Sequence, residues 1–248
     1  MTWDENMTII LMMIAASVLA VLFLIVRVSF GSKNVQGGVI AMFTKALASL
    51  GFILVGILGL TQDVDNVLAA SFVVLGLIMG LIGDIVLDLK VVYDGSKEEG
   101  IYLTGGMVSF GIGHIFYFLA ILAFLSTSAF LTGALFGICI AIAVVLTAAI
   151  MLAGKFVLKF DFGKFMVHSI VYAFMLTFMS VFTIALCIVM KNTVMLQLAI
   201  GMVLFLLSDI VLTQMYFGGQ KKNKLLCIIN HVFYYAAQIC IASFICLM

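Results

Sequence analysis

Charged and glycine-rich breaks divide this chain into eight apolar runs, at about residues 7–29, 38–60, 66–89, 102–125, 128–153, 165–190, 193–217 and 225–247. Each is long enough to cross a bilayer, which takes roughly 20 apolar residues in a helix. No water reaches backbone N–H and C=O groups in the hydrocarbon core, so a spanning segment must satisfy them within itself, as a helix does. The fourth and fifth runs are separated only by Ser126-Thr127-Ser128. The sequence therefore predicts an all-α polytopic membrane protein of about eight transmembrane helices, one transmembrane domain over residues 1–248.

Composition excludes the alternatives. Apolar residues make up 66% of the 248 and charged residues 9%, and mean hydropathy is +1.37. Twelve basic and eleven acidic side chains cannot cover the surface of a soluble domain of this size. A disordered chain and a nucleic-acid binder are excluded on the same ground, and a net charge of +1 gives no field to steer an acidic partner. The cysteines (Cys139, Cys187, Cys227, Cys240 and Cys246) lie in apolar runs with no CxxC pair, which reads as packing and not as a disulfide framework or a thiolate metal site. Met1 to Met7 carries Asp4 and Glu5 and no basic residue, so the first run is expected to be a retained span and not a signal peptide.

Basic residues set the expected orientation. The odd-numbered loops carry Arg27, Lys33, Lys90, Lys97, Lys155, Lys159, Lys164, Lys221, Lys222 and Lys224. The even-numbered loops carry Lys191 alone, with Asp63 and Asp65 in the first of them. That asymmetry places the odd loops in the cytoplasm and both termini outside.

Two motif pairs point to an internal repeat, with halves at about 1–127 and 128–248. Gly83-Asp84-Ile85-Val86-Leu87 matches Ser208-Asp209-Ile210-Val211-Leu212 at an offset of 125 residues. His114-Ile115-Phe116-Tyr117-Phe118 matches His231-Val232-Phe233-Tyr234-Tyr235 at an offset of 117. Four spans per half give both copies the same orientation, a parallel repeat about an axis along the membrane normal.

Ionisable groups within the runs carry the functional reading, because a charge in hydrocarbon costs several kcal/mol. They are Lys45, Asp84, Asp88, His114, His168, Asp209 and His231. The orientation places them at depths that can serve one cavity toward the cytoplasmic leaflet, with His114 the deepest. Asp84 and Asp88 are one helical turn apart on one face, and Gly76, Gly80 and Gly83 allow a neighbouring helix to approach them. His231, Tyr234, Tyr235 and Gln238 form one polar stripe, and Lys164, His168 and Tyr172 repeat the spacing on the sixth span. Bland roles compete with these. Lys45 is either the neutralising partner of a buried aspartate or a phosphate contact. Asp88 is either a site group or a solvated helix end, and His114 either a site group or a hydrogen-bonded packing residue. His168 reads as interfacial, close to Lys159 and Lys164.

The ordered set GDIVLD, GIGHIFYF, SDIVLT and YYAAQ resembles the YhhN-like membrane family, whose characterised members are lysoplasmalogenases. The resemblance runs from about Lys45 to Gln238, with one departure: Ala46 follows Lys45 where the family often has proline, and this chain has no proline. It implies an eight-helix enzyme that cleaves the vinyl ether bond of a lysophospholipid substrate in the membrane. The products would be a fatty aldehyde and a glycerophospho-ethanolamine or -choline. It also implies functional weight on Asp84, His114, Asp209, Tyr234, Tyr235 and Gln238. No cofactor is expected.

That chemistry suits two carboxyl groups in different settings, by analogy with glycosidases. One delivers a proton to the enol ether carbon. The other stays ionised, stabilises the oxocarbenium ion and orients water. Asp84 and Asp209 are the expected catalytic residues, in either assignment, with Lys45, Asp88, His114, His231, Tyr234, Tyr235 and Gln238 binding or supporting. Two other classes compete. An intramembrane zinc hydrolase would use His114, His231, Asp84 and Asp209, although no paired-histidine spacing is present. A transporter would need polar groups leading to both faces, and the outer halves of the spans are almost wholly apolar.

Overall fold

The computed structural model describes residues 3–31, 35–62, 64–93 and 95–248, with side chains from Met7 onward. Lys33 and Asp63, and the side chains of Asp4 and Glu5, lie outside the described residues. Eight long helices follow in order: α1 (Trp3–Ser29), α2 (Val35–Leu60), α3 (Val67–Val92), α4 (Glu99–Phe124), α5 (Gly133–Leu152), α6 (Met166–Met190), α7 (Thr193–Phe217) and α8 (Lys224–Phe244). A π-helical turn, Ala153–Val157, continues α5, and 3-10 turns precede α6 and follow α8. Among the described residues all eight helical segments are long and apolar enough to cross a membrane.

The ends are set by side chains that satisfy the orphan N–H groups of a first turn. Asn66 accepts from Ala69 N at 2.9 Å, Asn192 from Val194 N at 2.8 Å, and Asn223 from Leu225 N at 3.1 Å. Thr132 does the same for α5, accepting from Leu135 N at 3.2 Å. The fifth helix therefore starts at Gly133 and not near residue 128 as expected, because a side-chain cap and not the Ser-Thr-Ser break fixes its start. The third helix runs three residues past its expected end and takes in Lys90, which is buried on Glu99 at 3.3 Å and so is not a loop cation. With no proline after Lys45, α2 is one uninterrupted helix.

The chain forms two compact units. The first comprises residues 1–123 and 241–248, which is α1 to α4 and the last turns of the chain. Its core holds Phe23, Phe52, Leu77, Tyr117 and Ile121, all essentially without exposure. Small residues let its helices meet backbone to backbone. A methyl at Gly51 would lie 3.0 Å from Ala16, and one at Gly76 would overlap the Tyr117 ring. A Cβ at Gly113 would sit 3.1 Å from the Gly76 carbonyl, so α4 lies directly on α3, as the glycine spacing predicts.

The second unit is residues 124–240, α5 to α7 and most of α8. Aromatic rings dominate it: Phe136 stacks on Phe182 at 5.0 Å, and Phe178 on Phe182 at 5.5 Å. Ser180 donates to Met202 O at 3.1 Å, tying α6 to α7. At one end Asp161 N bonds Phe217 O at 3.0 Å, beside the packed rings of Phe162 and Phe217.

Candidate functional site

In the first unit the intramembrane charges converge. Lys45 on α2 points at α3, where its Nζ lies 3.1 Å from Asp84 Oδ1 and 3.2 Å from Asp88 Oδ1. One ammonium reaches both because the aspartates sit one turn apart on one face. Ser49, one turn beyond Lys45 on α2, donates to Asp84 Oδ2 at 2.5 Å. Arg27, in the last turn of α1, places Nη1 3.3 Å from Asp88 Oδ2. All five residues are buried or nearly so; Asp88 is therefore a cluster member and not a solvated helix end. Burying a charge is tolerable only when it is paired and hydrogen-bonded, and here two cations meet two carboxylates with a hydroxyl on the free side of one.

His114 lies on α4 of the same unit. It is buried, its Nδ1 lies 2.9 Å from the Phe110 carbonyl, and Tyr117 meets it edge-on at 5.6 Å. A carbonyl can only accept, so Nδ1 carries the hydrogen and Nε2 is the acceptor nitrogen in the neutral ring. Tyr117 in turn lies within electrostatic reach of Asp84.

In the second unit Asp209 on α7 is half-buried. Its Oδ2 accepts from the Tyr172 hydroxyl of α6 at 2.5 Å. Asn230 on α8 donates to Ser208 O at 2.8 Å and to Ser208 Oγ at 3.0 Å, which pins α8 to α7 next to Asp209. His231 turns its ring back on its own helix, with Nδ1 2.8 Å from Cys227 O. The rest of the stripe is buried and joined internally: Gln238 Nε2 donates to the Tyr234 hydroxyl at 3.1 Å, and Tyr234 meets Tyr235 edge-on at 5.2 Å. Lys164 and His168, which share the stripe of Tyr172, are exposed.

The structure thus joins Lys45 with Asp84 and Asp88, and Tyr234 with Tyr235 and Gln238. Sequence reasoning missed Arg27, Ser49 and Asn230 as members of these groups. Asn230 was the most visible, an amide in an apolar helix beside His231. Among the described residues no group of three or more His, Cys, Asp or Glu is placed to hold a metal ion.

What the first cluster offers chemically is a buried carboxylate of fixed orientation, held by an ammonium and a hydroxyl, in a helix long and apolar enough to cross a membrane. Such a group can stabilise a cation that develops beside it. No curated protein and no solved structure matches the chain. The YhhN family model matches residues 40–245, from the early turns of α2 to the end of α8, and the chain belongs to the YhhN family.

Proposed function

We propose that this protein is an integral-membrane lysoplasmalogenase, which hydrolyses the vinyl ether bond of 1-alkenyl lysophospholipids. The observation that carries the reading is the buried Asp84 carboxylate, clamped between Lys45 at 3.1 Å and Ser49 at 2.5 Å. Family membership supports it. A proton adds to the enol ether carbon distal to oxygen, leaving an oxocarbenium ion. Water attacks the cationic carbon and returns a proton, and the hemiacetal collapses to fatty aldehyde and the glycerol hydroxyl. One water is consumed and the catalyst's proton is restored.

In this reading Asp84 is the ionised carboxylate. Lys45 and Ser49 hold its oxygens, so that it meets the developing cation without reorganising. Asp209 is the proton donor. That assignment rests on its place in Ser208-Asp209-Ile210-Val211-Leu212 and on the need for a second carboxyl in a different setting. His114, His231, Tyr234, Tyr235 and Gln238 orient water or substrate. The site faces the cytoplasmic leaflet and both termini lie outside, as the lysine and arginine asymmetry indicates.

The test is purified protein in detergent, incubated with 1-alkenyl lysophospholipid, with fatty aldehyde read by mass spectrometry. Wild type releases aldehyde with or without EDTA, and Asp84→Asn and Asp209→Asn do not. Wild-type rates in both folded variants would overturn the two-aspartate mechanism. Aldehyde lost to EDTA and restored by zinc would move the chemistry to a metal. No aldehyde from folded wild type would overturn the substrate assignment.

A further inference from the structure

The mechanism above uses Asp84, Lys45 and Ser49 and gives no task to Arg27. Yet Arg27 is the one member of the cluster that α1 supplies, from outside the matched residues 40–245. It is also the most exposed of the four charges, at 11% of its side chain against 5% for Lys45, 3% for Asp88 and 2% for Asp84. It occupies the last turn of α1, and its partner Asp88 lies one turn before the end of α3 at Val92. The cluster therefore has an inner end at Asp84 and an outer end at Arg27, where two spans finish.

A lysophospholipid has the same polarity. Its vinyl ether lies toward the chain and its phosphodiester toward water, with a three-carbon glycerol between them. Asp84 and Asp88 are four residues apart on one helix, a rise of about 6 Å. That is close to the reach of a glycerol backbone from ether oxygen to phosphorus. A vinyl ether placed at Asp84 therefore sets the phosphate at the level of Asp88 and Arg27. Span ends are also where phosphates lie in a bilayer. Guanidinium suits the task, since its planar fork of five N–H donors matches phosphate oxygens and can hold two anions by different edges. Its Nη1 meets Asp88 at 3.3 Å.

We infer that Arg27 is the subsite for the phosphate of the substrate head group, with Asp88 and Lys45 aligning it. The inference rests on the lysophospholipid reading and adds to it a residue that fixes substrate class. It explains why a cation sits at the outer end of a cluster whose inner aspartate Lys45 already serves. Asp88 then acts as a positioning residue that keeps the guanidinium at the right depth.

The experiment compares two uncleavable inhibitors of aldehyde release: a 1-alkyl lysophosphocholine and the corresponding 1-alkylglycerol, which lacks the phosphate. In wild type the phosphate-bearing ether binds more tightly. Arg27→Gln raises its inhibition constant by about tenfold or more, the loss expected for one charge-assisted contact, and leaves that of the alkylglycerol within about twofold. Arg27→Lys keeps the charge and loses the fork, so it falls between. Should Arg27→Gln not yield folded protein, Arg27→Lys must still raise the first constant and spare the second. Equal effects on both inhibitors, or on neither, would show that Arg27 only fastens α1 to α3 and would overturn the subsite. Wild type that releases no aldehyde overturns the lysophospholipid reading and the subsite with it, a result distinct from the others.

Discussion

Asp84 and Asp209 occupy matching motifs, and each accepts at Oδ2 from a hydroxyl at 2.5 Å. The donors, Ser49 and Tyr172, precede their aspartates by 35 and 37 residues. One turn before Ser49 stands Lys45, buried and bridging to Asp84; one turn before Tyr172 stands His168, exposed. Asp84 is 2% exposed and Asp209 half-buried. The same hydroxyl–carboxylate contact is thus set beside an ammonium in one unit, and made with a phenol on a half-buried acid in the other. Two acids of one chemical type take different roles only when their surroundings differ. The difference is carried by what flanks the aspartate and not by the motif that contains it.

The largest expected effects fall on the aspartates themselves. Asp84→Asn and Asp209→Asn should each lower aldehyde release by about two to four orders of magnitude, the span usual for a group that handles a proton or a developing charge. If only one of them does, the comparison breaks, and the variant that loses activity names the unit that carries the chemistry. Next comes the cation. Lys45→Met leaves Asp84 buried beside Asp88 without the ammonium between them, and should cost about 3–5 kcal/mol of stability. The check is the thermal midpoint in detergent. Lys45→Met with Asp84→Asn should recover part of the loss, because the stranded charge goes with it. His168→Ala, at the matching turn of the other unit, should leave the midpoint where it was.

Much of this is legible in the sequence alone. Eight apolar runs gave eight helices, and the charges inside them named Lys45, Asp84 and Asp88, because hydrocarbon makes an unneeded charge costly. Arg27 was not legible, since a basic residue at the end of a span reads as the ordinary flank of a cytoplasmic loop. Lys90 was misread for the same reason. Ser49 was hidden differently. A hydroxyl in a membrane helix usually bonds back to a carbonyl of its own preceding turn, as Ser17 does to Met13 O and Thr177 to Ala173 O. Nothing in the run of residues 45–52 says that Ser49 reaches across to α3 instead. Partner choice across helices is a tertiary property, and periodicity does not report it.

A smaller effect contrasts close helix packing in one unit with open surface in the other. Gly76→Ala puts a methyl into the Tyr117 ring and must push α4 off α3, or turn the ring away from His114. A cost of about 1–3 kcal/mol follows from overpacking, with some loss of activity, because the ring lies beside the Asp84 cluster. Gly137→Ala on α5 meets nothing within 4 Å and should leave stability unchanged or slightly raised. Equal losses at both positions would mean that close approach is not what the glycine of α3 provides.

The smallest and most discriminating comparison removes one hydroxyl at a time. Ser49→Ala leaves Asp84 its ion pair with Lys45 and takes one hydroxyl donor from an ionised carboxylate. Tyr172→Phe takes a donor from a half-buried carboxyl that the mechanism keeps protonated. A hydrogen bond to a charged group contributes about 1.5–3 kcal/mol and a neutral one about 1, so losses of roughly five- to a hundredfold bracket both variants. With Asp84 ionised and Asp209 the protonated donor, Ser49→Ala should lie at the severe end and Tyr172→Phe at the mild end, with the fall in kcat and not in KM. The infrared carboxyl band of Asp209 should move in Tyr172→Phe, while that of Asp84 stays where it is. Equal losses in the two variants would mean that the two carboxyls carry the same charge, and that the aspartates are held alike after all.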